Sequence, residues 1–548
     1  MIEEAAEPPM GTVAEAFAAS VACFPGHDFL QVLPETATAL NVQPRSWTYA
    51  EAGAEVARLR RAYAAAGYGH GHRAGLLLLN RPEFLFHFIA LNGLGVSVVP
   101  INPDWRSAEL EYLIEHSEIA VAACVPEHAA PLAAAAAAVG RSVAFTDPDG
   151  AGIGAGPRPS PASPRRPDAD TECALLYTSG TTGRPKGCVL PNEYYLHAGR
   201  WYAQVGGLCE IRQGTERMLT PLPLTHMNAM AYSAMCMLLT GGCLVLLDRF
   251  HPRSWWDSVR ASRATVVHYL GVMPAMLLAA PESAEDRRHS VRFGFGAGVN
   301  ARHHAAFEQR FGFPLLEAWA MTETGAGAVV IANREPRHVG SACFGVAGPD
   351  VECRIVDDGG ADVAPGTPGE LLTRHAGPHS GFGFFRRYLK DEEATREAWA
   401  GGWFHTGDLV TRDAAGQFRF VDRKKNVIRR SGENISAVEV ESVLAQHPAI
   451  RTVGVTAVPD AVRGDEVFAC VVLRDADAAG PALAGELASF CLERLAYFKA
   501  PGYVAFCGEL PLTPTEKIQR SKLRELGLQL LEQRASVDLR AMKRRDAG

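Results

Sequence analysis

Residues 178–187, TSGTTGRPKG, place hydroxyl side chains, glycines and a lysine directly after the apolar run CALLY. Hydroxyl and backbone N–H groups donate hydrogen bonds to anions, and glycine allows conformations that other residues avoid. The sequence therefore predicts a phosphate-holding loop in which Lys186 adds a positive charge. It is not a Walker A loop, because that motif continues Gly-Lys with Ser or Thr.

Seven further segments carry residues that suit a nucleotide, although each alone is also typical of an ordinary turn, linker or core position. Six of them contain a charged or hydroxyl side chain, and the seventh, 296–300, is rich in glycine. In chain order they are 221–226 (PLPLTH), 296–300 (GAGVN), 319–323 (WAMTE), 403–408 (WFHTGD), 422–425 (DRKK), 431–435 (SGENI) and 510–518 (LPLTPTEKI).

The loop and these segments, taken in order, resemble the motifs of the adenylate-forming superfamily, which includes acyl-CoA synthetases, adenylation domains of peptide synthetases and firefly-type luciferases. The resemblance covers about residues 45–525 and implies the use of ATP, Mg²⁺ and coenzyme A. The pieces PKGCVL and PTEKIQR look most like the carnitine/crotonobetaine-CoA ligase-like and medium-chain branches, and of these the whole chain most resembles the first.

The resemblance implies a set of ATP-binding residues. In the family the first loop holds the β- and γ-phosphates, the aromatic residue packs on adenine, and the TGD aspartate and the following arginine reach the ribose. Carried onto this sequence, the set is Thr178, Ser179, Gly180, Thr181, Thr182, Gly183, Lys186, Gly296, Ala297, Gly298, Glu317, Ala318, Trp319, Thr322, Asp408, Arg423 and Lys517.

The remaining roles also come from the resemblance. It implies that Lys517, Thr322, Glu323 and His226 are catalytic, and that Glu323 holds Mg²⁺, a cation that prefers oxygen ligands. The acyl pocket would be lined by His226, Gly296, Gly298 and Gly325. Gly432 would line the coenzyme A tunnel, and Lys425 would be the hinge.

Four positions depart from the family motifs. Trp319 and Ala320 replace the usual tyrosine and glycine, Ala437 replaces a proline, and Glu516 replaces a glycine. We expect Trp319 to keep the aromatic face and Glu516 to reposition the loop of Lys517. None of these changes removes a charge that the chemistry needs.

The elements that must position these residues follow from hydrophobic patterning. Continuous apolar strands alternate with helical segments from about residue 45, which is typical of parallel βαβ units. The fold expected is α/β: a large adenylate-forming domain over 1–421, with doubly layered sheets and a small β-barrel-like part. A hinge over 422–425 would lead to a small mobile α+β domain over 426–548, since 548 residues exceed one core.

Composition narrows the class of protein. The net charge of −7 argues against a nucleic-acid binder. Twelve scattered cysteines show no metal or disulfide spacing, and the acidic amino terminus does not resemble a signal peptide. We expect a cytoplasmic protein without a transmembrane segment, in which 229–247 splits at Gly241-Gly242 into a buried helix and a strand. The basic tail MKRRDAG is expected to be a solvated end.

The function expected is that of an ATP-dependent acid–thiol ligase, which adenylates a small-molecule carboxylic acid and transfers the acyl group to coenzyme A. Residues 223–237 contain no Asp or Glu to hold the ammonium of an α-amino acid, which favours a non-amino acid substrate. A stand-alone enzyme serving the phosphopantetheine of an acyl carrier protein and a catalytically silent binding protein both stay open, as does a homodimer.

Overall fold

The computed structural model describes residues 11–103, 105, 107–154, 156–157, 159–178, 185–423, 427–430, 433–460, 463–495, 497–513 and 517–543. These residues form three sheets, two in the amino-terminal part of the chain and one in the carboxyl-terminal part. Arg423 is described by its backbone alone.

The strands of the amino-terminal part are numbered along the chain. They are β1 (Asp28–Val32), β2 (Arg45–Thr48), β3 (Arg73–Leu77), β4 (Ser97–Pro100), β5 (Val121–Cys124), β6 (Ala144–Thr146), β7 (Glu172–Thr178), β8 (Lys186–Pro191), β9 (Arg217–Thr220), β10 (Cys243–Leu246), β11 (Val266–Leu270), β12 (Phe293–Ala297), β13 (Leu315–Trp319), β14 (Val330–Ile331), β15 (Cys343–Ala347), β16 (Val351–Val356), β17 (Gly369–His375), β18 (Arg387–Tyr388), β19 (Phe404–Arg412) and β20 (Phe418–Arg423).

Helices alternate with these strands. They are α1 (Val13–Cys23), α2 (Pro34–Leu40), α3 (Tyr49–Ala65), α4 (Pro82–Asn92), α5 (Ser107–Ser117), α6 (Pro126–Ala138), α7 (Asn192–Gln204), α8 (Ala234–Thr240), α9 (Trp255–Ser262), α10 (Val272–Leu278), α11 (Ala301–Phe311) and α12 (Glu392–Ala398).

The carboxyl-terminal part has its own strands and helices. They are β21 (Val427–Arg430), β22 (Glu433–Ser436), α13 (Ala437–Leu444), β23 (Ile450–Asp460), β24 (Gly464–Leu473), α14 (Pro481–Leu492), β25 (Tyr503–Phe506), α15 (Arg520–Glu532) and β26 (Val537–Asp538).

The larger sheet has the order β16-β17-β19-β20-β15-β14-β13-β12-β11-β9-β10-β1-β2. The strands from β13 to β1 are parallel, and those from β14 to β16 continue the sheet with antiparallel pairs. The second sheet, β18-β8-β7-β4-β3-β5-β6, is parallel from β7 to β6. The expected α/β class is therefore observed.

Local sequence explains why these elements form. Residues 49–65 form α3, which begins with a capping box of Thr48 and Glu51. The apolar runs at 243–247 and 265–270 contain β10 and β11, and the run at 291–295 contains the first three residues of β12. Between residues 229 and 247 the chain forms a π-helix that spans Asn228–Ser233, then α8 and β10. None of the described helices combines the length and apolar character needed to cross a bilayer.

The prediction that MKRRDAG is a solvated end is wrong for Lys543. The residue is 5% exposed and its ammonium donates to Glu466, because the segment after α15 returns to the third sheet, where β26 pairs with β25. The core that β21, β23, β24, β25, α13 and α14 enclose consists wholly of carboxyl-terminal residues.

Candidate active site

Three of the predicted motifs follow the carboxyl ends of parallel strands of the larger sheet. Residues 221–226 follow β9, 296–300 close β12, and 320–323 follow β13. Open α/β sheets bind ligands outside the carboxyl ends of their strands. The topology thus brings three segments that are distant in sequence to one edge of the larger sheet.

The phosphate-loop segment belongs to a hairpin of the second sheet. Strands β7 and β8 are antiparallel neighbours, and Thr178 lies opposite Lys186 in their register. Both residues therefore stand where the loop leaves and rejoins the sheet. The loop residues Ser179, Gly180, Thr181, Thr182 and Gly183 lie outside the described residues.

Glu323 joins this hairpin to the larger sheet. Its side chain is buried, with the whole residue 7% exposed. Its Oε1 atom accepts hydrogen bonds from Thr178 Oγ1 at 3.3 Å and from the Tyr388 hydroxyl at 3.1 Å. The metal-ligand candidate and the start of the phosphate loop are therefore in direct contact.

The surroundings of Glu323 suit a divalent cation. Both of its donors are neutral, and no ion pair of Glu323 occurs among the described residues. A buried carboxylate needs a compensating partner, and Mg²⁺ is commonly held by one or two carboxylates together with substrate phosphates. The described residues contain no cluster of three metal-ligating side chains.

The backbone around Thr322 is fixed by two contacts. The Tyr194 hydroxyl donates to the Thr322 carbonyl oxygen at 2.9 Å, and Phe385 N–H donates to the Glu323 carbonyl oxygen at 2.9 Å. Tyr194 is fully buried on α7. The segment that carries Thr322 and Glu323 is thus held by two other parts of the chain.

The glycine-rich turn after β12 is held by Glu317. This carboxylate accepts from Gly298 N–H at 2.9 Å, from Val299 N–H at 3.1 Å and from the Tyr269 hydroxyl at 2.8 Å. Burial raises the pKa of Glu317. Gly298 has a φ of +79°, and a side chain at Gly296 would collide with the Tyr269 carbonyl oxygen. Ala297 and Gly298 are exposed at the turn, whereas the buried carboxylate of Glu317 binds the backbone N–H groups of the turn.

Trp319 and Asp408 form the part of the candidate site that is predicted to bind adenine and ribose. The indole Nε1 donates to Asp408 Oδ2 at 2.9 Å, and both residues are buried. Ala318 is half-buried beside them. Arg423 lies opposite Asp408 in the register of β19 and β20. The predicted adenine and ribose residues are therefore adjacent, which joins segments 89 positions apart.

His226 and Lys517 lie close enough to interact. Burial lowers the pKa of His226 to about 4, and the charge of Lys517 contributes to this shift. The residue as a whole is nevertheless exposed to solvent, so the protein atoms around the ring leave it open on one side. Lys517 is also exposed, and its backbone N–H donates to Thr513 Oγ1 at 3.1 Å. The lysine of the last motif thus approaches the histidine of the acyl-pocket motif.

Gly325 lies two residues after Glu323, at the start of a 3₁₀ turn. Its φ is +48°, and a side chain there would collide with the ring of Tyr194. Its carbonyl oxygen accepts from the Tyr232 hydroxyl at 3.0 Å. The two other residues with predicted roles, Lys425 and Gly432, lie outside the described residues.

Sequence reasoning missed Tyr388, Tyr194 and Cys188. Cys188 lies in β8 opposite Tyr388 in register, 3.9 Å from Thr178 Oγ1, and its pKa is raised by burial and by Glu323. For Tyr388, the sequence feature that could have drawn attention is the segment 385–399, FRRYLKDEEATREAW, in which an acidic helix start follows the tyrosine.

Comparison with known proteins identifies the family. Residues 28–388 match the AMP-binding enzyme family, and residues 439–517 match the AMP-binding enzyme C-terminal domain. The chain is 31% identical over 493 residues to a crotonobetaine/carnitine-CoA ligase of Shigella flexneri. The aligned region covers 87% of this chain and 93% of that protein.

Two solved structures have the same fold. The o-succinylbenzoate CoA synthetase MenE of Bacillus subtilis with the acyl-adenylate OSB-AMP aligns with a TM-score of 0.78 and 26% identity, over 93% of this chain and 97% of that chain. The same enzyme with ATP and magnesium ion gives 0.78 and 25%, over 93% and 98%. By its motifs, its fold and these matches, the chain belongs to the AMP-binding enzyme family and is an acyl-CoA synthetase.

Proposed function

We propose that this enzyme joins a non-amino carboxylic acid to the thiol of coenzyme A in two steps at one site. The acid oxygen attacks the α-phosphorus of ATP and pyrophosphate leaves toward the loop between Thr178 and Lys186. The thiol then attacks the acyl carbon and AMP leaves. The observation that carries the proposal is the contact of Glu323 with Thr178, beside Lys186 and at the carboxyl ends of the parallel strands.

The residues would contribute position and charge. Thr178 and Lys186 would bind the departing phosphates, Thr322 would contact the α-phosphate, and Lys517 would bridge carboxylate and phosphate. Glu323 would hold Mg²⁺, which neutralises phosphate charge when bound. Phosphoryl and nucleotidyl transfer rely on such pre-set charges rather than on covalent help from the protein. Asp408 would accept from the ribose hydroxyls, with Trp319 against adenine.

The second step needs the thiol where Lys517 stands during the first. We propose a domain boundary at 421, a hinge over 422–425 with Lys425 as its centre, and a mobile domain over 426–548. Rotation of this domain would move Lys517 away from the reacting carbon and bring Gly432 to the site in its place. The two family matches, over 28–388 and 439–517, leave this hinge between them, and hinge rotation of a domain is an established kind of motion.

The acid itself is proposed only by class. Residues 223–237 hold no carboxylate, and His226 is neutral at physiological pH because its pKa is about 4. An α-ammonium group would therefore meet no negative partner in that segment. The relative of Shigella flexneri is a crotonobetaine/carnitine-CoA ligase, so those two acids belong in any substrate panel.

Pyrophosphate release with a panel of aliphatic, aryl, polycyclic, betaine and amino acids tests the function, with and without coenzyme A. We expect release with a non-amino acid and acyl-CoA formation when coenzyme A is present. Lys517→Ala should lower release by roughly 100-fold or more, whereas Lys522→Ala, an exposed lysine of α15, should match the wild type.

The two alternatives give different results in the same assay. Acyl-adenylate without acyl-CoA, together with transfer to an acyl carrier protein, would establish the carrier-protein enzyme. If no acid leads to pyrophosphate release, the catalytically silent binding protein is the alternative that remains. A cytoplasmic location and a homodimer stay proposals that cell fractionation and light scattering would test.

A further inference from the structure

Tyr388 contacts the two oppositely charged residues on which the proposed ATP site depends. It lies in β18, which pairs with β8 so that Tyr388 is opposite Cys188. Its hydroxyl donates to Glu323 Oε1 at 3.1 Å, and the Lys186 ammonium lies over its ring, 4.8 Å from the ring centre. One side chain therefore touches both the metal-ligand candidate and the phosphate-binding lysine.

The tyrosine is itself held firmly. It is 8% exposed, its ring packs against Phe385 with 4.7 Å between ring centres, and its backbone N–H donates to Thr395 Oγ1 of α12 at 3.0 Å. A phenol is protonated at neutral pH, so its hydroxyl can donate to the Glu323 carboxylate.

Each contact uses a different part of the residue. The face of an aromatic ring attracts an ammonium group, while a hydroxyl donates to a carboxylate. Lys186 and Glu323 form no ion pair with each other among the described contacts. Without a ligand, two such opposite charges would attract one another and reduce the charge that each presents to phosphate or metal.

We propose that Tyr388 is a positioning residue that keeps Lys186 and Glu323 apart and aims each of them at its own partner. Its ring would hold the lysine for the phosphates of ATP, and its hydroxyl would hold the carboxylate for the divalent cation. The inference rests on the proposed function, because it assumes that these two residues bind Mg²⁺-ATP.

Two substitutions separate the roles of the ring and the hydroxyl. Tyr388→Phe keeps the ring over Lys186 and removes the hydroxyl, whereas Tyr388→Leu removes both. Binding of Mn²⁺ would be measured by electron paramagnetic resonance with α,β-methylene-ATP, and binding of that analogue alone by calorimetry. Neither readout depends on turnover.

We expect Tyr388→Phe to weaken Mn²⁺ binding roughly tenfold, the order of a lost hydrogen bond to a charged group, and to change analogue binding less than about twofold. Tyr388→Leu should weaken both, the analogue by roughly three- to tenfold. In a Glu323→Gln background, Tyr388→Phe should have no further effect on Mn²⁺ binding.

Tyr63→Phe is the matched control, because this fully buried tyrosine of α3 also loses a hydroxyl bond, to His87 Nδ1 at 2.7 Å. It should leave both affinities unchanged. Unaltered Mn²⁺ binding in Tyr388→Phe, or an equal loss in the Glu323→Gln background, would overturn the inference. A wild type that releases no pyrophosphate with any acid would instead refute the proposed function. If Tyr388→Leu does not fold, Tyr388→Phe and the double variant still decide.

Discussion

Trp319 replaces the family's tyrosine, and its side chain does more than supply an aromatic face. Its indole N–H donates to Asp408 Oδ2 at 2.9 Å, in a site where Asp408 is 2% exposed. Hydrogen bonds to charged groups contribute about 1.5–3 kcal/mol. The indole therefore orients the carboxylate that is proposed to bind ribose, in addition to forming the wall beside it.

We predict that Trp319→Phe raises the KM for ATP roughly tenfold, because the ring face is kept while the donor to Asp408 is lost. Steady-state pyrophosphate release with ATP as the varied substrate measures the change. The effect should fall on KM for ATP and leave KM for the acid within about twofold.

Trp256→Phe is the control for Trp319→Phe. Trp256 packs on Phe311 with 4.5 Å between ring centres, among residues of α9 and α11. It should leave the KM for ATP as in the wild type. An unchanged KM in Trp319→Phe would mean that the indole bond does not serve nucleotide binding.

At the scale of elements, apolar runs predicted the strands because parallel strands buried on both faces are apolar throughout. The pairings that build the site could not be predicted in the same way. Strand β18 has two residues and joins β8 across about 200 positions, so no periodicity marks it. The roles of Tyr388 and of the Trp319 indole depend on such pairings.

The carboxyl-terminal segment shows the same limit through a buried charge cluster. Glu466 of β24 accepts from Arg430 Nε at 2.8 Å and from the Lys543 ammonium, and all three side chains are buried. Lysine near a chain end is usually solvated. Here the return of the chain after α15 places Lys543 beside Glu466, where the cluster holds two cations and one carboxylate.

We predict that Glu466→Gln destabilises the protein by about 3–5 kcal/mol, because it leaves two buried cations without their carboxylate. Lys543→Met should cost less than about 1 kcal/mol at pH 7, since Arg430 continues to pair with Glu466. Urea unfolding measures both. Equal losses in the two variants would contradict this account of the cluster.

The ionisation of Lys543 determines the direction in which the free energy of unfolding changes with pH. Burial lowers the pKa of Lys543 from 10.5 to about 8, against the attraction of Glu466 and with repulsion from Arg430 and Arg463. The unfolded chain therefore binds more protons than the folded one between these values, so this group makes stability rise with pH from 8 to 10.5. Lys543→Met should remove that rise.

At the scale of the whole molecule, the proposed chemistry joins two parts that have separate cores and separate family matches. Lys517 belongs to the second matched segment and His226 to the first, yet the charge of Lys517 reaches the imidazole. The resemblance placed both residues in the catalytic set but did not state that they meet. Patterning within either part contains no information about how the parts approach.

His226 therefore offers a reporter of where Lys517 stands. Burial is the larger cause of its low pKa and the lysine the smaller one, so Lys517→Gln should raise the pKa of His226 while leaving it below the ordinary value of 6.5. The sign follows because removal of a positive neighbour favours the imidazolium. Histidine Cε1–H signals titrated by NMR, and assigned with His226→Gln, measure the shift. Lys522→Gln should leave it unchanged. An identical titration in Lys517→Gln and the wild type would mean that in solution the lysine does not occupy the position next to His226 that we propose for adenylation.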